Sequence, residues 1–142
     1  MIHLEIYIDG ASKGNPGHSG VGIVILREGK VLKNISGYIG RATNNVAEYT
    51  ALIYALEEAL LLKAKSLKIN TDSQLLARQL NKIYKVKHSG LIDLYNRAVH
   101  LLTGFEKVLI CHIGREENSS ADKLATQAIK KSLSRQNVAA RH

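Results

Sequence analysis

Four acidic residues, Asp9, Glu48, Asp72 and Asp122, each fall where the sequence ends a strand or opens a helix. Carboxylates gathered at one edge of a sheet repel one another, and hydrated Mg²⁺ is the usual counter-charge. Oxygen ligands without cysteine favour Mg²⁺ or Mn²⁺ over Zn²⁺. The chemistry such a set performs is metal-dependent phosphoryl transfer. Taken singly, each acid also has a plain structural role. Asp9 precedes Gly10 as a turn aspartate would, and Asp72 stands where a helix N-cap belongs. Glu48 follows Asn45 by three and Asp122 follows Ser119 by three, both capping-box spacings. Their joint placement is more informative. Ligand sites of open sheets lie outside strand carboxyl ends; two of these acids follow strands, and two open helices that can dock beside them. Glu48 also shares a helix stripe with Leu52, Ala55, Leu56 and Ala59 that should face the sheet. A carboxylate there is desolvated at considerable cost unless a cation or hydrogen-bond donors meet it.

The elements that must position these groups follow from the patterning. Ile2, Leu4, Ile6 and Ile8 alternate with polar residues and predict a strand over 2–9 that Asp9 closes. Gly10 to Gly20, punctuated by Gly14-Asn15-Pro16-Gly17, reads as a loop. Val21 to Arg27 and Lys30 to Ile39 predict a hairpin turning at Glu28-Gly29. Asn45 to Leu62, rich in Ala, Leu and Glu without Gly or Pro, predicts the longest helix. A strand over Ser66 to Thr71 and a short helix over Asp72 to Asn81 come next, then a basic connector, Lys82 to Gly90. A helix over Leu91 to Leu102 stops at Gly104, Phe105 to Ile113 holds the last strand, and a final helix begins near Ser119 and fades by Ser134. The order βββαβααβα implies an α/β protein whose mixed sheet carries helices on its faces.

With 142 residues and 45% hydrophobic content the chain is sized for one domain. Its 20 Lys and Arg against 12 Asp and Glu give a formal charge of +8, so the surface should attract polyanions such as nucleic acid. Cys111, the single cysteine, excludes an intramolecular disulfide and reads as a buried strand residue. No signal-peptide pattern opens the sequence and no apolar run reaches membrane-spanning length, so a cytoplasmic setting without membrane association is expected. The Walker pattern of P-loop NTPases is absent. Arg41, Thr43, Asn44 and Asn45 precede the long helix, where a guanidinium and backbone amides can hold a phosphate as readily as they cap the helix. His112 lies ahead of the loop Ile113 to Asn118, placed to swing over a metal site.

The segments YIDGASKGNPG (Tyr7 to Gly17), RATNNVAEYTAL (Arg41 to Leu52), TDSQL (Thr71 to Leu75) and HIGREENSSAD (His112 to Asp122) closely resemble type 1 ribonuclease H, in order and over almost the whole chain. The resemblance implies the ribonuclease H-like fold, a five-stranded mixed β-sheet flanked by α-helices, with a catalytic domain over 1–134 and a frayed tail over 135–142. It implies an endonuclease that hydrolyses the RNA strand of RNA/DNA hybrids by two-metal-ion catalysis, leaving 5′-phosphate and 3′-hydroxyl ends. Asp9, Glu48, Asp72 and Asp122 would be the ligands of two Mg²⁺ ions, with Mn²⁺ as substitute. His112 matches the family's mobile loop histidine, which assists proton transfer or product release. Asn15, Asn44, Asn45 and Gln74 match positions that touch the hybrid's minor groove, where the 2′-hydroxyl distinguishes RNA. Arg41 and Thr43 match a pocket for a DNA phosphate.

Two departures stand out. The family's basic, Trp-containing protrusion is missing: the chain has no Trp and only Lys82, Lys85, Lys87 and His88 in that region. Selectivity for hybrid over double-stranded RNA is therefore open, and Lys130, Lys131, Arg135 and Arg141 are candidates for further phosphate contacts. Nor is a separate hybrid-binding domain seen, and a monomer is expected. The alternative readings are a non-catalytic nucleic-acid-binding module and a related nuclease acting on double-stranded RNA or DNA junctions.

Overall fold

The computed structural model describes residues 1–82 and 85–140, so Ile83 and Tyr84 of the basic connector and Arg141 of the tail lie outside the described residues. The elements are β1 (His3–Gly14), β2 (Gly17–Arg27), β3 (Lys30–Ala42), α1 (Asn44–Leu61), β4 (Ser66–Thr71), α2 (Gln74–Leu80), α3 (Ser89–Leu102), β5 (Lys107–His112), a 3₁₀ turn (Arg115–Asn118) and α4 (Ser119–Ala140). The sheet order is β3-β2-β1-β4-β5. The first three strands form an antiparallel meander, and β4 and β5 join β1 in parallel. The β2–β3 hairpin turns at Glu28 and Gly29, both at positive φ (53° and 78°), as a two-residue turn matched to strand twist requires.

Leu4, Ile6 and Ile8 of β1, Ile23 and Ile25 of β2 and Ile69 of β4 are fully buried with Leu52, Leu56 and Ala59 of α1. This single core faces α1 and α3. On the opposite face α4 lies across β2 and β3. The register makes the two-sided arrangement explicit. Gly10 pairs with Val21 and Asp9 with Gly22, so Gly10 and Gly22 leave the sheet on opposite sides. A Cβ on Gly10 would lie 2.2 Å from the Ala47 carbonyl carbon of α1; one on Gly22 would lie 1.9 Å from the Ala121 oxygen of α4. These glycines are seats for the two helices.

The same fact corrects the reading of Gly10 to Gly20 as a loop. β1 runs to Gly14 and β2 starts at Gly17, so the glycine-rich stretch is mostly paired strand and Asp9 sits inside β1 rather than closing it. The final helix also continues to Ala140 instead of fading by Ser134. No Gly or Pro interrupts it, and Gln136 reaches back 3.4 Å to Ser132 Oγ. Cys111 is half-buried, because β5 is a sheet edge and α4 does not extend over it. Among the described residues no helix is long and apolar enough to cross a membrane.

Candidate active site

Three of the four acids converge. Carboxylate oxygens of Asp9, Glu48 and Asp72 all lie within 4.8 Å of one another. Asp122, exposed in the first turn of α4, falls outside that trio but lines the same cavity of about 440 Å³. Local structure explains each placement. Asp9 projects from β1 beside Gly10, whose missing side chain lets the backbone of Ala47 and Glu48 approach. Glu48 therefore lies against Asp9, five residues into α1.

The helix caps differ from those the sequence suggested, and the difference frees the acids. Thr43, not Asn45, caps α1, its Oγ1 accepting from the Val46 amide at 3.2 Å. Ser73, not Asp72, caps α2, accepting from the Leu76 amide at 3.2 Å. Ser119 is already helical (φ −61°, ψ −35°) where α4 emerges from the 3₁₀ turn, so Asp122 completes no capping box there. Serine and threonine cap because a short hydroxyl reaches the orphan amides of the first turn. The carboxylates are left directed at one another.

Their electrostatics are unfavourable. Burial, then the charge of Asp72, raises the Asp9 carboxyl from 3.8 to about 7. Burial, then Asp9, holds Glu48 well above its ordinary 4.5, and a hydrogen bond from the Gly10 backbone only partly offsets this. Glu48 is 8% exposed, and its Oε2 has no hydrogen-bond partner among the described residues. A buried, unpartnered carboxylate oxygen facing two further carboxylates suits a hard divalent cation, which would supply the missing charge and accept all-oxygen ligands.

Asn118 and Arg115 join the site although the sequence did not single them out. Buried Asn118 donates from Nδ2 to the Ile8 carbonyl at 2.8 Å and to Asp72 Oδ2 at 3.3 Å, tying the start of α4 to β1 and orienting Asp72. Arg115, the first residue of the 3₁₀ turn, lines the cavity and is a cation placed for a phosphate. Both lie inside the segment His112 to Asp122, where a polar run reads as ordinary loop.

The other predicted residues divide. Asn44 and Asn45 line the cavity. Asn15 stands next to them, its Oδ1 accepting from the Asn44 amide at 3.1 Å, while Asn44 Oδ1 accepts from the Ser12 amide at 3.0 Å. Gln74 is exposed at the first position of α2, next to cavity-lining Ser73. Arg41 is exposed at the end of β3, opposite His18 in register, and Thr43 is occupied as the α1 cap. Neither is part of the cavity wall. His112 is the last residue of β5 rather than a loop residue; its Nε2 lies 3.3 Å from the Asp72 carbonyl oxygen, and it too lies outside the wall.

An acidic cavity set in the five-stranded mixed sheet of a basic α/β protein defines a class of proteins whose oxygen donors fit hard divalent cations. The Reverse transcriptase-like family matches residues 7–128. A ribonuclease HI of Halobacterium salinarum is 43% identical over 89% of this chain and 64% of its own length. A ribonuclease H of Nitrobacter hamburgensis is 35% identical over 91% of this chain and 93% of its own. The solved structure of LC11-RNase H1 in complex with RNA/DNA hybrid superposes with a TM-score of 0.87 at 40% identity, covering 92% of this chain and 99% of that one. The chain belongs to the ribonuclease H family. It spans a little under two thirds of the Halobacterium relative and 36% of a bifunctional Mycobacterium tuberculosis protein that is 40% identical to it.

Proposed function

We propose that this chain is an endonuclease that hydrolyses the RNA strand of RNA/DNA hybrids, leaving 5′-phosphate and 3′-hydroxyl ends, with two divalent ions held by Asp9, Glu48, Asp72 and Asp122. One observation carries the reading: three carboxylates meet within 4.8 Å where a buried Glu48 oxygen has no partner among the described residues. A protein that only bound nucleic acid would gain nothing from repelling phosphate at this point. The relative solved with an RNA/DNA hybrid supports the choice of substrate. Mg²⁺, with Mn²⁺ as substitute, fits these hard donors; bound there, such ions activate a water and stabilise the charge on the phosphate and its leaving oxygen.

The remaining roles fall to the chain's own groups. Asn44 and Asn45 on the cavity wall, with Asn15 braced against Asn44, present amides that both donate and accept, as the 2′-hydroxyl of RNA does. Gln74 extends that row from α2. Thr43 Oγ1 accepts from Val46, which leaves its hydroxyl hydrogen to donate to a DNA phosphate alongside Arg41. His112, exposed beside Asp72, moves a proton or helps a product depart, and Arg115 neutralises phosphate charge at the cavity. Lys82 and Lys85, which line a cleft between α2 and α3, stand in for the missing protrusion.

The test is cleavage of a labelled RNA/DNA hybrid in Mg²⁺, with RNA duplex and DNA duplex alongside. The RNA strand of the hybrid should be cut, and Asp72→Asn should abolish cutting while sparing the fold. An intact RNA strand across a range of pH and salt would end the nuclease reading, and a fully active Asp72→Asn would end the ligand assignment.

A further inference from the structure

The seating of α4 creates a second feature on the far side of the sheet. A Cβ on Gly20 would lie 2.5 Å from the Ala125 oxygen and 3.2 Å from both Ala128 Cβ and Ile129 Cγ1, so α4 rests on the backbone of β2. The register pairs Gly22 with Ser36 and Gly20 with Tyr38, which sends these two β3 side chains out on the face that α4 occupies. They stand beside the helix as a wall. The facing wall is Ala128, Lys131, Ser132 and Arg135, spaced by three, four and seven residues and therefore on one helix face. Between the walls runs a groove of about 310 Å³.

Its chemistry is cationic. Lys131 and Arg135 are exposed, and among the described residues neither makes an ion pair. As like charges four apart on a helix they repel each other, and an anion between them relieves the repulsion. β2, β3 and α4 beyond Asp122 contain no Asp or Glu to compete for them. Ser36 is engaged, donating to the Leu124 carbonyl at 2.5 Å, and His18 Nδ1 lies 2.7 Å from Tyr38 Oη and fixes the phenol in the wall. Lys, Arg, Ser and Tyr are the side chains that bond phosphate oxygens without reading bases.

We infer that this groove is a second seat for the phosphodiester backbone of the nucleic acid whose scissile bond lies at the carboxylates. The inference rests on the nucleic-acid reading of the preceding section. Lys131 and Arg135 follow Asp122 by nine and thirteen residues along one helix, a separation of about 14 to 20 Å. That is roughly four to six phosphate steps along one strand. The groove holds register and lengthens the footprint, and it selects no sequence.

The test pairs kinetics with equilibrium binding, using K131Q/R135Q and the charge-keeping control K131R/R135K. On a hybrid of about 30 base pairs, K131Q/R135Q should raise KM roughly ten- to sixty-fold near 0.1 M salt with kcat unchanged. On a hybrid of about 4 base pairs, joined by a covalent end link and shorter than the distance from the carboxylates to the groove, KM should stay at the wild-type value. For a DNA duplex of about 30 base pairs, followed by fluorescence anisotropy, the slope of log K against log salt should fall by about 1.8, and the control should restore it. An unchanged KM on the long hybrid, an unchanged salt slope, or an equal rise in KM on the short hybrid would overturn the proposal. Duplex binding is read without cleavage. A wild-type protein that shows the slope difference but leaves hybrids intact would keep the groove and lose the nuclease; one that cuts hybrids without the slope difference would do the reverse.

Discussion

Asn118 and Asp72, 46 residues apart in sequence, are joined by a 3.3 Å hydrogen bond, and the same Asn118 amide holds the Ile8 carbonyl at 2.8 Å. One neutral side chain thus fixes an acid at the end of β4, the strand that carries Asp9, and the root of α4. Asn118→Ala removes the buried hydrogen bond to the Ile8 carbonyl and the bond to Asp72, and should lower stability by about 1–3 kcal/mol. It should also reduce kcat by more than it raises KM, because Asp72 loses its orientation while the asparagines on the cavity wall remain. Urea unfolding together with steady-state cleavage checks both halves; a loss of stability with unaltered kcat would show that Asn118 is purely structural.

Gly10 makes a sharper demand. With Ala47 backbone atoms 2.2 to 2.4 Å from where its Cβ would stand, Gly10→Ala must push α1 away from β1. We expect destabilisation of about 1–3 kcal/mol or more, and weakened Mg²⁺ binding by calorimetry, since Glu48 moves away from Asp9. A variant that binds Mg²⁺ as tightly as the wild type would mean that the two carboxylates need not be close.

The metal-free protein should lose stability as pH rises between about 4 and about 7. Asp9 titrates near 3.8 unfolded and about 7 folded, so within that window the folded state binds more protons than the unfolded one and the stability slope is negative. Glu48, also raised, acts in the same direction. Asp9→Asn removes a buried charge and should stabilise the metal-free protein at pH 7 by a few kcal/mol, with little effect near pH 4. Millimolar Mg²⁺ should flatten the wild-type slope and leave that of the variant unchanged. Melting temperatures across pH, with EDTA or Mg²⁺, test this; a wild-type stability that rises steadily over the window would contradict it.

Tyr49, next to Glu48 in α1 but outside the cavity wall, offers a control. Its hydroxyl donates to Gln79 Oε1 at 2.5 Å within the core, and burial, then the neighbouring Tyr95, raises its titration above the usual value. Tyr49→Phe leaves the Gln79 oxygen unpaired and should cost about 1–2 kcal/mol without altering kcat. A drop in kcat at full folding would connect α2 to catalysis in a way the geometry does not suggest.

Most of the architecture was legible in the sequence because its signals are local. Period-two alternation marked β1, the Glu28-Gly29 pair marked the hairpin, and an unbroken Ala- and Leu-rich run marked α1. The errors arose where one residue type serves two purposes. Glycines over 10–20 resemble loop punctuation, yet Gly10 and Gly20 lie in paired strands as seats for helices, a role visible only once the partner helix is in place. Asp72 and Asn45 resemble caps, but the adjacent Ser73 and the nearby Thr43 take those positions. The sequence nominated four acids, of which three cluster, but did not single out Asn118 or Arg115. Their importance comes from contacts across 110 residues and from a cavity wall, neither of which has a signature along the chain.

The carboxylates come from the first strand, the first helix, the exit of the fourth strand and the last helix described, positions 9 to 122 of the sequence. Contacts between such distant stretches form late, after the loops between them have closed. A chain cut short before α4 would keep Asp9, Glu48 and Asp72 but lose Asp122 from the cavity wall.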